Sequence, residues 1–230
     1  MGKRVLITGA TSGIGSALAH HYARRADLLL AGRRPEMDIR QDVPADAGYV
    51  AADQSRPEEA ATRIGEACES LGWDGLDLAI LNAGTGYLGD PALEDPDRLR
   101  ETVDTNLVAP IAIAHRLFPL LEAAGGHLVL IGSTAHRGAP AFASYAASKA
   151  GLDGFARALR EEWKGRVGVQ VIHPGPTRTG MHRKAGLEPR GERFFASPER
   201  MARLIAKAVE TGRSPMTISF ARYAFAGGGR

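Results

Sequence analysis

Tyr145 and Lys149 stand four residues apart in Ser144-Tyr145-Ala146-Ala147-Ser148-Lys149, a spacing that sets both side chains on one face of a helix. An isolated phenol titrates near ~10 and exchanges its proton poorly at neutral pH unless a nearby cation favours the phenolate. A lysine one turn away can supply that cation, so the pair is a candidate acid/base couple. Tyrosine and lysine at this spacing also occur on many ordinary helix surfaces. Ser133 raises the pair above that background: it closes the run Leu130-Ile131-Gly132-Ser133, and strand ends of this kind are where α/β sheets bind ligands.

A second constellation lies near the N-terminus, in Thr8-Gly9-Ala10-Thr11-Ser12-Gly13-Ile14-Gly15. The glycines allow a tight turn and close backbone approach, and the helix that opens there offers unpaired N–H groups and a positive dipole end to a pyrophosphate. A plain strand-to-helix turn has the same composition, but the position after a first strand and before an amphipathic helix favours the phosphate role. Sites for an unphosphorylated dinucleotide usually carry an acidic residue at the end of the second strand. Here that strand ends Ala31-Gly32-Arg33-Arg34. Arginine clamps a 2′-phosphate, so NADP(H) is expected over NAD(H), with Arg33 ahead of Arg34.

The elements that must hold these residues alternate along the chain. Strands are expected at Arg4 to Thr8, Leu28 to Ala31, Tyr49 to Ala52, Leu76 to Leu81, His127 to Ile131, Val167 to Ile172 and Met216 to Phe220, as apolar runs buried on both faces. Helices are expected at Gly13 to Arg25, Pro57 to Ser70, Pro96 to Leu121, Ser144 to Trp163 and Pro198 to Thr211. This is an α/β pattern: one doubly wound Rossmann domain over residues 1–230, with a single parallel sheet of about seven strands and helices on both faces. The stretch 174–196 reads as a substrate loop or lid and 221–230 as a disordered tail.

Composition sets limits. Of 230 residues 44% are hydrophobic and 24% charged, enough to bury a core without disulfides. The net charge of +3 is spread without a basic block, so no nucleic-acid partner is expected. Cys68 is the only cysteine, which suits a reducing cytoplasm. No leader and no apolar run of membrane-spanning length is read, so no membrane partner is expected. The seven histidines show no HxxxH spacing and no metal is expected.

Taken together, five motifs in order resemble the short-chain dehydrogenase/reductase family over roughly residues 1–212: Thr8 to Gly15, Asn82-Ala83-Gly84, Asn106, Ser133 with Tyr145 and Lys149, and His173-Pro174-Gly175. The resemblance implies hydride transfer between the nicotinamide and a small-molecule carbonyl or secondary alcohol. Tyr145 would be general acid or base, Lys149 would lower its pKa and bind the nicotinamide ribose, Ser133 would hold the reacting oxygen, and Asn106 would hold a water linking the lysine to solvent. It further implies cofactor contacts from Gly9, Thr11, Ser12, Gly13, Ile14 and Gly15, from Asp53 and Gln54 near the adenine, from Asn82, Ala83 and Gly84 along the adenine ribose, and from Pro174, Gly175, Thr177 and Thr179 at the nicotinamide. A homodimer or homotetramer is implied through the two long helices.

Thr85, Gly86, Tyr87, His136, Arg137, Met181, His182, Phe194 and Phe195 would face a partly apolar substrate pocket, with His136 and Arg137 read as a solvated loop pair. Three features depart from the family pattern. The Ser133 to Tyr145 loop is one residue short, Arg33 to Asp53 leaves little room for a helix, and the C-terminal Gly227-Gly228-Gly229-Arg230 replaces an Asp-Gly-Gly ending associated with the last strand. A non-catalytic NADP-binding regulator on the same fold is the alternative, and isomerisation, epimerisation or dehalogenation would use the same site.

Overall fold

Seven short apolar segments line up as one parallel sheet. In chain order they are β1 (Lys3–Thr8), β2 (Ala26–Gly32), β3 (Gly48–Ala51), β4 (Leu78–Leu81), β5 (His127–Ile131), β6 (Gly168–Pro174) and β7 (Met216–Ile218), and in space they run β3-β2-β1-β4-β5-β6-β7. Every pairing is parallel. The computed structural model describes residues 2–39, 41–180 and 195–218. Most of the expected loop 174–196 and all of 221–230, with Met181, His182 and Phe194, lie outside the described residues. The strand order reverses between β1 and β4, the switch point where a crevice opens beyond the strands' carboxyl ends.

Alternate residues of each strand feed two cores. Leu6, Leu29, Ala79, Leu81, Leu128, Leu130 and Val171 pack with α2 (Pro57–Ser70), α4 (Ala109–Ala124) and α5 (Ala143–Glu162). Val5, Ile7, Leu28, Leu30, Ile80, Val129 and Ile172 pack with α1 (Gly13–Tyr22) and α6 (Pro198–Thr211). Both faces are therefore apolar, which is why these strands read as continuous runs rather than alternating ones. The expected start of α6 is seen: Ser197 Oγ accepts from the Arg200 amide, Pro198 opens the first turn, and Gly212 ends the helix at φ +62.

The helix expected over Pro96 to Leu121 is three pieces: α3 (Pro96–Val103), a π-helical segment (Asp104–Val108) and α4. The π segment carries Asn106, whose side chain is wholly buried, and such segments commonly mark functional sites. Contrary to the reading that no apolar run reaches spanning length, the helical stretch Pro96–Ala124 is long and apolar enough by length and composition, an 18-residue window of it having a mean hydropathy of 1.4. Within it Ile113, Leu117 and Leu121 are fully buried against the sheet cluster, and 33% of that window is buried in all.

Among the described residues between β2 and β3 the one helical element is the 3₁₀ turn Glu36–Asp38, in keeping with the short spacing. Ile39 buries itself there, and Arg34 ties the segment down by donating to the Thr11 carbonyl (2.9 Å) and to Asp42 (2.7 Å). At the other edge β7 forms without the expected C-terminal signature, because Ile172, His173 and Pro174 pair in register with Met216, Thr217 and Ile218.

Candidate active site

A cavity of about 960 Å³ runs along the carboxyl ends of the central strands. Its floor is the turn after β1. Gly9 and Gly13 take φ +64 and +54, and a side chain at Gly15 would drive Cβ into the Gly9 carbonyl oxygen. Ser12, at the N-cap of α1, makes no side-chain capping bond, so the first amides of the helix are left to a ligand. Gly9, Thr11, Ser12, Gly13 and Ile14 line the cavity, while Gly15 packs beneath it. Gly15→Val should remove dinucleotide binding, with retention on a nucleotide-affinity resin and melting temperature as readouts; wild-type retention would contradict the role given to this turn.

One end of the cavity is polar. Arg33 lines it, and its guanidinium lies 3.4 Å from Glu101, with the two side chains 62% and 39% exposed, a pairing weak enough for a ligand to displace. Arg34 does not reach the cavity, because its guanidinium is committed to Thr11 and Asp42. Asp53 holds the backbone and hydroxyl of Ser55, and Gln54 is buried on the cavity wall with Oε1 unpartnered. Asn82, Ala83 and Gly84 form the opposite wall. Thr8, which opens the glycine motif but has no role assigned from the sequence, fixes that wall: its hydroxyl accepts from the amides of Asn82 (3.1 Å) and Ala83 (3.2 Å).

Ser133, Tyr145 and Lys149 all line this cavity. Burial pushes the Tyr145 phenol above its usual range, and a hydrogen bond with Ser133 pulls it back in part. Lys149 is buried too, and loss of solvent lowers its amine from 10.5 to about 8. Its Nζ donates to the Ile131 carbonyl (2.9 Å) and stands 5.9 Å from the centre of the tyrosine ring. Burial is thus the largest influence on the Tyr145 phenol. The short loop before Tyr145 closes through the 3₁₀ turn Thr134–Arg137 and through Ala141 at φ +65, a backbone state that costs a non-glycine residue about 1 kcal/mol.

Asn106 lies behind this group and does not line the cavity. It donates to the Thr85 carbonyl (2.8 Å) and Ser148 Oγ (3.0 Å), and accepts from the Thr85 amide (2.9 Å). It thus ties the loop after β4 to α5. A Cβ at Gly84 would fit only tightly here, 3.2 Å from Asn106 Oδ1 and 3.5 Å from Lys149 Nζ.

Pro174, Gly175, Thr177 and Thr179 form the far wall. The Thr177 hydroxyl is spent on the Gly175 carbonyl (3.0 Å), and Thr179 abuts Gly13. Of the substrate candidates, Thr85, Gly86 and Tyr87 line the cavity, joined by Phe142 and Ala139, which were missed; Phe195 is not among its lining residues. His136 and Arg137 belong to a separate cavity of about 420 Å³. The solvated-pair reading fails for His136: its side chain is 8% exposed and its ring packs against that of His173, tilted by 56° with centres 3.7 Å apart. Asp153 completes a His136–Asp153–His173 cluster, which no local spacing in the sequence announces.

A family model described as short chain dehydrogenase matches residues 3–189. A protein of Myxococcus xanthus (strain DK1622), named only as an uncharacterized oxidoreductase, is 36% identical over 182 residues, 75% of this chain and 71% of that one. The human hydroxysteroid 11-beta-dehydrogenase 1-like protein is 33% identical over 169 residues, 70% of this chain and 53% of its own length. The chain thus spans about half the length of that relative. Among solved structures, a short chain dehydrogenase from Burkholderia cenocepacia J2315 in complex with NADP superposes with a TM-score of 0.81 at 26% identity, covering 96% of this chain and 97% of that one.

Proposed function

The chain belongs to the short-chain dehydrogenase family of oxidoreductases, and from that premise we propose that it reduces a small carbonyl compound at the expense of NADPH, with Tyr145 as proton donor. The observation that carries the reading is the meeting of Ser133, Tyr145 and Lys149 in one cavity with an uncapped glycine turn. The residues fit a dinucleotide: free helix amides at Gly13 and Ile14 for the pyrophosphate, Gln54 Oε1 as an orphan acceptor, and Arg33 at the polar end. Bound NADPH would supply the hydride to the carbonyl carbon.

The remaining chemistry is the protein's own. Ser133 orients the carbonyl oxygen by donating from its hydroxyl, and Tyr145 passes its proton to that oxygen as negative charge develops there. The phenol carries its proton at neutral pH, as a donor must, and burial raises it further above its usual range. Lys149 places positive charge beside the tyrosine while that proton leaves, and is held in place by the Ile131 carbonyl. Asn106 keeps the loop carrying Thr85 against α5, so the serine and tyrosine face a wall of fixed shape. Tyr87, Ala139 and Phe142 give that wall an apolar character suited to a ketone.

NADPH and NADH consumption against a panel of ketones, diketones, quinones and β-ketoesters tests the reading. Turnover favouring NADPH is expected, and a folded protein that binds NADPH yet reduces none of them would count against it. Arg33→Ser should raise KM for NADPH by about 10- to 100-fold, the worth of a charge-assisted phosphate contact, while leaving that for NADH nearly unchanged. Equal effects on both cofactors would remove Arg33 from the 2′-phosphate site.

A further inference from the structure

We infer that His136, Asp153 and His173 form a binding site for one divalent cation of the zinc type, outside the cofactor cavity and behind Ser133. The three side chains come from three elements: the turn Thr134–Arg137, α5 and β6. Each offers a ligand atom, and these all lie within 4.8 Å of one another. His173 Nε2 is 3.1 Å from Asp153 Oδ1, and His136 Nδ1 is 3.1 Å from Asp153 Oδ2. Ligands bound tetrahedrally at about 2.0–2.2 Å stand roughly 3.3–3.6 Å apart, so small rotamer adjustments admit an ion.

A second observation points to a ligand. His136 Nδ1 is buried and faces the carboxylate off the line of a hydrogen bond, leaving it without a hydrogen-bond partner, in a side chain only 8% exposed. A buried ring nitrogen costs free energy when no partner satisfies it, whether it bears a proton or a lone pair. His173 is wholly buried, and its other nitrogen, Nδ1, sits 3.1 Å from the Ser133 carbonyl. Donating there turns the Nε2 lone pair towards the ion, the outer contact that metal-binding histidines usually make. Without metal the other tautomer is available, with Nδ1 accepting from the Ser133 amide (3.2 Å) and Nε2 donating to Asp153.

Access and charge are consistent with an ion of this kind. The Asp153 side chain is 32% exposed, so water can complete the coordination, and the 420 Å³ cavity beside His136 is an entry path. Arg137 Nε now donates to His136 Nε2 (3.2 Å), but Arg137 is exposed and free to swing away when that nitrogen takes up a proton. Imidazole and carboxylate donors suit zinc, nickel or cobalt over magnesium or calcium. Once bound, the ion would join the turn after Ser133 to the helix of Tyr145 and Lys149 and to the strand leading to Pro174.

The test does not depend on turnover, so its failure and that of the reductase reading are distinguishable. Chelator-stripped full-length protein is titrated with Zn²⁺ in competition with a chromogenic chelator, and with Co²⁺ for its visible spectrum. One Zn²⁺ should bind with a Kd on the order of 1 μM or tighter, raise the melting temperature by several degrees, and give a Co²⁺ spectrum of low coordination number. His136→Ala, in a surface turn, and Asp153→Asn should each weaken binding at least about 10- to 100-fold, while a His20→Ala/His21→Ala variant should bind like wild type. Wild-type binding no tighter than about 1 mM, or affinity unchanged in both His136→Ala and Asp153→Asn, would overturn the site.

Discussion

Replacing Tyr145 by Phe is expected to lower kcat for carbonyl reduction by about 10²–10⁴-fold, the range for losing a positioned general acid, with NADPH affinity essentially unchanged. The phenol is buried, lines the cavity and is hydrogen-bonded to Ser133, so the substitution removes a proton donor and little else. Gly86 packs against the ring edge, which Phe preserves, so the fold should hold. A variant that binds NADPH but does not turn over fits the account. One that keeps turnover within a few-fold of wild type would show that another group gives the proton.

Lys149→Met should do the reverse to stability and the same to activity. Holding an amine at about 8 in place of 10.5 costs the folded chain about 3 kcal/mol at neutral pH. Removing the charge regains much of that, less the penalty for leaving the Ile131 carbonyl without its donor. The sign follows from proton counts. Between pH 8 and 10.5 the unfolded lysine binds more protons than the folded one, so wild-type stability gains with rising pH from this residue. The variant's advantage should therefore be greatest below about pH 8 and shrink as pH rises towards 10.5. The buried Cys68 and Tyr22, raised to about 11 and 12, act oppositely in alkali, but they are common to both proteins and cancel in the difference. Urea denaturation of both at several pH values measures it. A variant less stable than wild type at pH 7 would mean that the lysine's contacts outweigh its desolvation.

That opposition between stability and activity is typical of groups retained for chemistry, and it explains which features were legible in the sequence. The sheet was readable because both its faces are apolar, so strands such as Leu78–Leu81 stand out as unbroken runs. The motif residues were readable because the chemistry requires particular types at strand ends: Ser133 after β5, Gly9 and Gly13 after β1, Asn82 after β4. Arg33 and Arg34, adjacent and alike in sequence, were separable only in space, where one guanidinium reaches the cavity and the other braces Thr11 and Asp42. The π segment at Asn106 escaped notice because an inserted residue hardly disturbs a helical pattern. The His136–Asp153–His173 cluster escaped for another reason: its members lie on a turn, a helix and a strand, and no local period links them.

The most direct test of hydride transfer is to run the reaction with NADPH carrying deuterium at the transferable position and to examine the product by mass spectrometry and NMR. One deuterium is expected at the new carbinol carbon, formed in step with NADPH oxidation and lost with Tyr145→Phe. Product that forms without deuterium, as from an isomerisation or epimerisation that consumes no NADPH, would contradict hydride transfer.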